Sequence, residues 1–256
     1  MNIFQQTIKS LYAPKTIATF RFQKVGKTIL FIFLLSFISF LPSAFYMGTG
    51  VHNGLNALTN VTSSLPPFSI ENGSLQSENE MLIEQNIDGF ILLFDPSGTL
   101  SDEDVEVYHN AIGFLNDGLT IVLDGMAQTI DYSIIEGTMT KEDIAEFIKQ
   151  VNELKLIILS VLFFLLYFTA SFAKYIEITI LALIGILFKN KLNKRLNFKQ
   201  IFTLSAYAVT LSTVFFALMD TLQTTVPLQF SISWFIHLTI LFLTFKEIPS
   251  PKIPNE

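Results

Sequence analysis

The chain has 256 residues, half of them apolar, a mean hydropathy of +0.50 and a formal charge of −6. Soluble domains reach an apolar share of about 45–50% only when glycine is counted, so part of this chain must be solvated by lipid. Cysteine is absent, which excludes a disulfide framework, a thiolate-ligated zinc or iron–sulfur site and a thiol nucleophile.

Residues 1–27 read as a cytosolic or interfacial segment. Ile3, Phe4, Ile8, Leu11 and Tyr12 form a short apolar face before Pro14, with Lys9 and Lys15 beside it, the pattern of a helix lying in a membrane interface; docking on a cytosolic partner fits the same face. Residues 28–46 carry no charge and would span ~28 Å at 1.5 Å per residue, close to the ~30 Å of bilayer hydrocarbon. With no A-x-A site after it, this stretch is expected to be an uncleaved anchor, TM1.

Residues 47–153 change character. Within 49–153, 18 Asp and Glu stand against Lys141 and Lys149, a formal charge of −16 that leaves +10 for the rest. Short β-type runs at 67–70, 89–94, 111–115, 119–123 and 128–134 alternate with Asn72-Gly73, Asp95-Pro-Ser-Gly, Asn116-Asp-Gly and Asp124-Gly125. These are turn signals, with positive φ expected at the Asn-Gly and Asp-Gly pairs, and they predict an antiparallel meander of about five strands. Two capping-box patterns, Ser101 with Asp104 and Thr140 with Asp143, predict helices over 105–110 and 144–151. Ile144, Phe147, Ile148, Val151 and Leu154 continue as one helical stripe into the next apolar segment without Pro or Gly, so the domain and the membrane segment are expected to share one helix.

Residues 154–188 would make ~52 Å of helix, too long for one perpendicular crossing and short for two. The basic residues decide between them. Lys189, Lys191, Lys194, Arg195 and Lys199 lie in the loop 189–200, and Arg21, Lys24 and Lys27 abut TM1; cytosolic loops concentrate Lys and Arg. One long TM2, kinked or partly interfacial, keeps both groups inside. TM3 at 201–219, an outer turn at 220–226, TM4 at 227–245 and a cytosolic tail at 246–256 containing Lys246 and Lys252 complete the expectation. The fold class is thus an α-helical membrane bundle of four transmembrane helices with an inserted extracytoplasmic α+β domain, both termini cytosolic.

Candidate sites are few. His237 falls near the middle of TM4, where an ionisable side chain is costly and often functional; it could serve a proton relay or substrate contact, or be a neutral imidazole bonded to a hydroxyl on a neighbouring helix. Lys174 and Glu177, one turn apart, could join such a path or form an interfacial ion pair. Asp102, Glu103, Asp104 and Glu106 depart from a calcium loop and suit a helix start. Asp95-Pro-Ser-Gly-Thr-Leu faintly resembles a phosphotransfer loop but is explained as a turn. Ser205, Ala206, Ala208, Thr210, Ser212 and Thr213 suit close helix packing. No GxSxG, HExxH, Walker or Rossmann pattern is present, so no catalytic, metal or cofactor residues are assigned, and the basic loops lack a nucleic-acid recognition fold.

The opening Phe4-Gln-Gln-Thr-Ile-Lys-Ser-Leu-Tyr-Ala-Pro-Lys-Thr-Ile17, then Arg21-Phe-Gln-Lys-Val-Gly-Lys-Thr28, resembles the start of a bacterial membrane family, domain of unknown function (DUF) 1189. Pro67-Phe-Ser-Ile-Glu-Asn-Gly-Ser-Leu75 looks like that family's outside-domain motif. The resemblance covers the layout of essentially the full chain. It implies a plasma-membrane location, a low-GC Gram-positive source and kinship with Yip1-like bundles. Because some members are labelled maltodextrin-utilisation accessory proteins, it also points to a sugar ABC transporter as the membrane partner. No catalytic residues carry over. The expected function is a non-enzymatic accessory or regulatory membrane protein, homo-oligomeric or bound to another membrane protein, its outside domain binding a partner or ligand; the alternative is a small transporter using His237, Lys174 and Glu177.

Overall fold

The computed structural model describes residues 1–87 and 89–249; Lys252 and the rest of the expected tail lie outside them. The chain divides into two compact units, a helical one of residues 1–45 and 161–256 and a sheet-bearing one of residues 46–160. Among the described residues, four helices are long and apolar enough to cross a membrane: Val25–Ser64, Lys141–Lys191, Phe198–Thr221 and Gln229–Lys246.

In the helical unit, α1 (Ile3–Ser10) and α2 (Pro14–Thr19) precede the first part of α3 (Val25–Ser64). Asn2 and Gln5 close a capping box on α1, and Pro14 opens α2 where a missing N–H costs nothing. The amphipathicity of α1 is inverted. Its polar Gln6 and Ser10 are buried, whereas Phe4, Ile8 and Tyr12 are exposed. Gln6 belongs to a closed ring: its Nε2 donates to Gln23 Oε1 at 2.7 Å, Gln23 Nε2 donates to Tyr207 Oη at 2.5 Å, and Tyr207 Oη donates to Gln6 Oε1 at 2.9 Å. Phe20 and Phe31 pack on the Tyr207 ring.

The last part of α5 (Lys141–Lys191), α6 (Phe198–Ala208), α7 (Thr210–Thr221) and α8 (Gln229–Lys246) complete this unit. The single helix expected over 201–219 is interrupted at Val209. There Thr210 Oγ1 donates to Tyr207 O at 2.8 Å and Ser212 Oγ to Val209 O at 3.0 Å, and such local bonds compete with the helical ladder. Ser205, Ala206, Ala208, Thr210 and Ser212 are fully buried. At Gly185 in α5 an added Cβ would sit 2.7 Å from Ile201 Cγ2, so the missing side chain lets α6 approach closely. Most of the α6–α7 span is buried, but almost none of the apolar stretch of α5 is.

The sheet-bearing unit differs from the expected meander. Strands β1 (Phe68–Glu71), β2 (Ser74–Ser77) and β8 (Thr138–Thr140) form a separate three-stranded antiparallel sheet in the order β2-β1-β8. Strands β3 (Ile83–Ile87), β4 (Phe90–Phe94), β5 (Ala111–Phe114), β6 (Gly118–Leu123) and β7 (Met126–Asp131) form a second sheet in sequence order. Its β4–β5 pair is parallel, with Ile91 opposite Ala111 and Phe94 opposite Phe114. The connection 95–110 carries a helix, α4 (Asp102–Glu106), shorter and earlier than the expected 105–110, and is long enough for a crossover rather than a hairpin. Asn72-Gly73 and Asp124-Gly125 adopt positive φ, whereas Asp117-Gly118 does not, because Gly118 is already the first residue of β6, paired with Asp131.

Both faces of the larger sheet are covered. Leu92, Phe94, Ile112 and Phe114 join Phe68, Ile70 and Tyr132 on one side, with Ala57 and Val61 from the end of α3 and Leu65 just after it. Leu93, Ala111, Val122 and Val105 of α4 form the other. This explains why β4 reads Phe-Ile-Leu-Leu-Phe rather than alternating.

The first apolar helix does not stop near Tyr46 but continues to Ser64. Residues 48–60 contain three Gly and three Asn, which together disfavour helix by about 5 kcal/mol relative to alanine. Burial of Ala57 and Val61, one turn apart on one face, overrides that preference. The helix expected to pass unbroken from residue 144 into the next apolar segment does so as α5.

Candidate functional site

The sequence candidates converge in the helical unit. From α5, Lys174 Nζ lies 2.7 Å from Glu177 Oε2 and 3.3 Å from Thr213 Oγ1 of α7. Glu177 Oε1 lies 3.3 Å from His237 Nδ1 of α8, without the alignment of a hydrogen bond. The other ring nitrogen, Nε2, is hydrogen-bonded to Ser212 Oγ and lies 3.3 Å from Ser233 Oγ; the Trp234 ring stands edge-on at 5.9 Å. Ser212 has one hydroxyl proton. With that proton on Val209 O, the imidazole donates through Nε2, and Nδ1 stands beside the Glu177 carboxylate without a hydrogen bond.

Carboxylate, imidazole and hydroxyl follow in the order used by serine hydrolases, yet Ser212 and His237 have no exposed surface, and a nucleophile must reach its substrate. Lys174 and Glu177 keep 16% and 22% of their side-chain surface. The cluster is a charge-compensated polar knot joining α5, α7 and α8.

The remaining sequence candidates stay local. Asp104 accepts from Ser101 N and Oγ at 2.8 and 2.9 Å, and these bonds hold its carboxyl below the usual value. Asp102 accepts from Thr120 Oγ1 at 2.7 Å. Among the described residues no group of three His, Cys, Asp or Glu side chains is placed to hold a metal ion. His52 and His109 are far from His237 in sequence and lie in the sheet-bearing unit, beside Lys155 and Asp124 respectively.

A second feature had no sequence motif. In the sheet-bearing unit a groove of about 680 Å3 is lined by Asn53, Asn56 and Asn60 of α3, Asn152 of α5, Asn110 before β5 and Phe90 of β4. Its volume lies in the range of ligand sites, about 300–1,000 Å3. Asp124 is its one charged residue among the described lining, and is 3.7 Å from His109 Nε2. Gly50 also lines the groove, and a Cβ there would meet nothing within 4 Å. The only sequence signal for this site was asparagine recurring at 53, 56 and 60, helical spacing in a stretch whose glycines disfavour helix.

Neither a curated protein nor a solved structure matches the chain. The sequence model of the family described as Protein of unknown function (DUF1189) matches residues 4–245, in keeping with the resemblance of the N-terminal motif, and the chain belongs to that family.

Proposed function

We propose that this is an accessory or regulatory protein of the bacterial plasma membrane, without catalytic chemistry of its own, whose sheet-bearing unit lies outside the cell and binds a partner or ligand. The observation that carries the reading is the asparagine-lined groove, a formed site in a unit whose formal charge is strongly negative. The placement is supported by the four membrane-length helices and by the basic residues around 21–27 and 189–199, since cytosolic loops concentrate Lys and Arg. A membrane partner, of which a sugar ABC transporter is one case, and Yip1-like descent of the bundle belong to the same proposal.

The test uses a photo-crosslinking amino acid at Thr59, on the groove wall, in living cells. A reproducible adduct, lost when residues 60–150 are deleted, is the expected result. No adduct, together with solute flux through the purified protein in liposomes, would overturn the reading.

A second reading, transport through the bundle, is favoured by the run Lys174–Glu177–His237–Ser212. It requires His237→Ala and Glu177→Ala to abolish function while the protein still accumulates. On the first reading these variants retain the phenotype that deletion of 60–150 removes.

A further inference from the structure

We infer that the groove of the sheet-bearing unit takes an uncharged, extended peptide segment, read through its backbone; this rests on the reading of that groove as a binding site. Asn53, Asn56 and Asn60 stand at i, i+3 and i+7 on α3, so they form one row along the helix. At 1.5 Å per residue the row is about 10.5 Å long, the length of about three residues of extended chain. Asn110 and Asn152 line the same groove from other elements. A carboxamide carries the donor and acceptor of a peptide group and can pair with an extended backbone without reading its side chains.

Two further observations select this class. The described lining offers no Lys or Arg for an anion and only Asp124 for a cation, and the nearby Lys155 ammonium is already engaged with Asn152 Oδ1 at 2.8 Å, so the described lining favours an uncharged ligand. Phe90 is 8% exposed, so the groove has no open aromatic face on which a sugar ring could stack. The asparagines are also unexplained by helix formation. Together with Gly50 they make this part of α3 a poor helix, and residues that oppose the local structure mark places where another requirement was met. These carboxamides already have local partners: Asn56 Nδ2 lies 3.3 Å from His52 Nε2, Asn110 Oδ1 accepts from Asp124 N at 2.9 Å, Asn152 Oδ1 accepts from Lys155 Nζ at 2.8 Å, and Asn60 is engaged as well, so binding exchanges local bonds for bonds to the ligand.

The experiment uses the full chain in lipid nanodiscs, with asparagine side-chain amides labelled with nitrogen-15 and followed by NMR. The probe is acetyl-trialanine-amide, and the comparison is raffinose, a neutral trisaccharide. The signals of Asn53, Asn56 and Asn60 should move together with the peptide and not with raffinose, while Asn72, in the β1–β2 turn, stays fixed and reports the folded unit. Gly50→Leu suits a helix and projects into open space, and it should weaken the peptide response at least tenfold. Raffinose moving the row in place of the peptide would overturn the peptide assignment and leave the groove as a saccharide site. Neither probe moving it at millimolar concentration would overturn both this inference and the reading of the groove.

Discussion

Asp95 shows at a single residue how a suggestive motif resolves into structure. It is fully buried and accepts from Ser97 N at 3.1 Å, Ser97 Oγ at 2.5 Å, Thr99 Oγ1 at 3.0 Å and Leu100 N at 2.6 Å. These bonds tie the turn after β4. Burial pushes its carboxyl up, but the hydrogen bonds, that of Ser97 first, outweigh burial and hold it below the usual value. Its contribution to stability is therefore complete above the unfolded-state value of about 3.9 and is lost as pH falls through the depressed folded value. Asp95→Asn should destabilise the sheet-bearing unit by about 1.5–3 kcal/mol at pH 7, and the gap from the parent should close as pH drops below 4; thermal unfolding of the full chain across that range measures both. That Asp95 makes a turn was legible from Pro-Ser-Gly beside it. That His237 would meet both Glu177 and Ser212 was not, because those residues lie 60 and 25 positions away and only helix packing sets the distances.

At the scale of elements, the signals that held were local and chemical. Both capping boxes formed, with Thr140 N and Oγ1 bonded to Asp143 Oδ2 at 2.9 and 2.7 Å and Ser101 bonded likewise to Asp104. The stripe after Thr140 became α5, whose 51 residues extend about 76 Å. A Gly-Gly insertion after Asn152 breaks this continuity at a cost of about 1 kcal/mol per glycine. If α5 passes displacement of the sheet-bearing unit into the bundle, the insertion should abolish function while protein level and the fold of each unit are kept; undiminished function would remove α5 from the mechanism. The inverted face of α1 is a second element-scale result. Of the five residues read as one apolar face, Phe4, Ile8 and Tyr12 are exposed, whereas Leu11 is half-buried and Ile3 packs against the core of the helical unit. The Gln6–Gln23–Tyr207 ring, which buries the opposite face, joins positions too distant in sequence to be inferred. Tyr207→Phe leaves the buried Gln6 and the half-buried Gln23 carboxamides short of a partner and should cost about 1–3 kcal/mol, read as a lower unfolding temperature of the purified protein.

For the molecule as a whole, the absence of cysteine makes the proposed topology directly measurable. Single cysteines at Lys191 and at Ser97 should react with a membrane-impermeant maleimide from opposite sides, Lys191→Cys only in inverted vesicles and Ser97→Cys only in intact cells. Labelling of both from one side would overturn the arrangement. The sequence by itself determined the four membrane-length helices, the acidic insertion between basic flanks, the tight turns and the family, since hydropathy, charge and turn chemistry act over a few neighbouring residues. Tertiary structure alone decided the parallel β4–β5 pair, the separate three-stranded sheet and the helical course of residues 48–60. Each depends on a distant partner, as where burial of Ala57 and Val61 with the sheet core outweighs the weak helix preference of the glycines and asparagines around them. The groove has the same origin: its asparagines become a site only when α3, α5 and the ends of three strands bring them together.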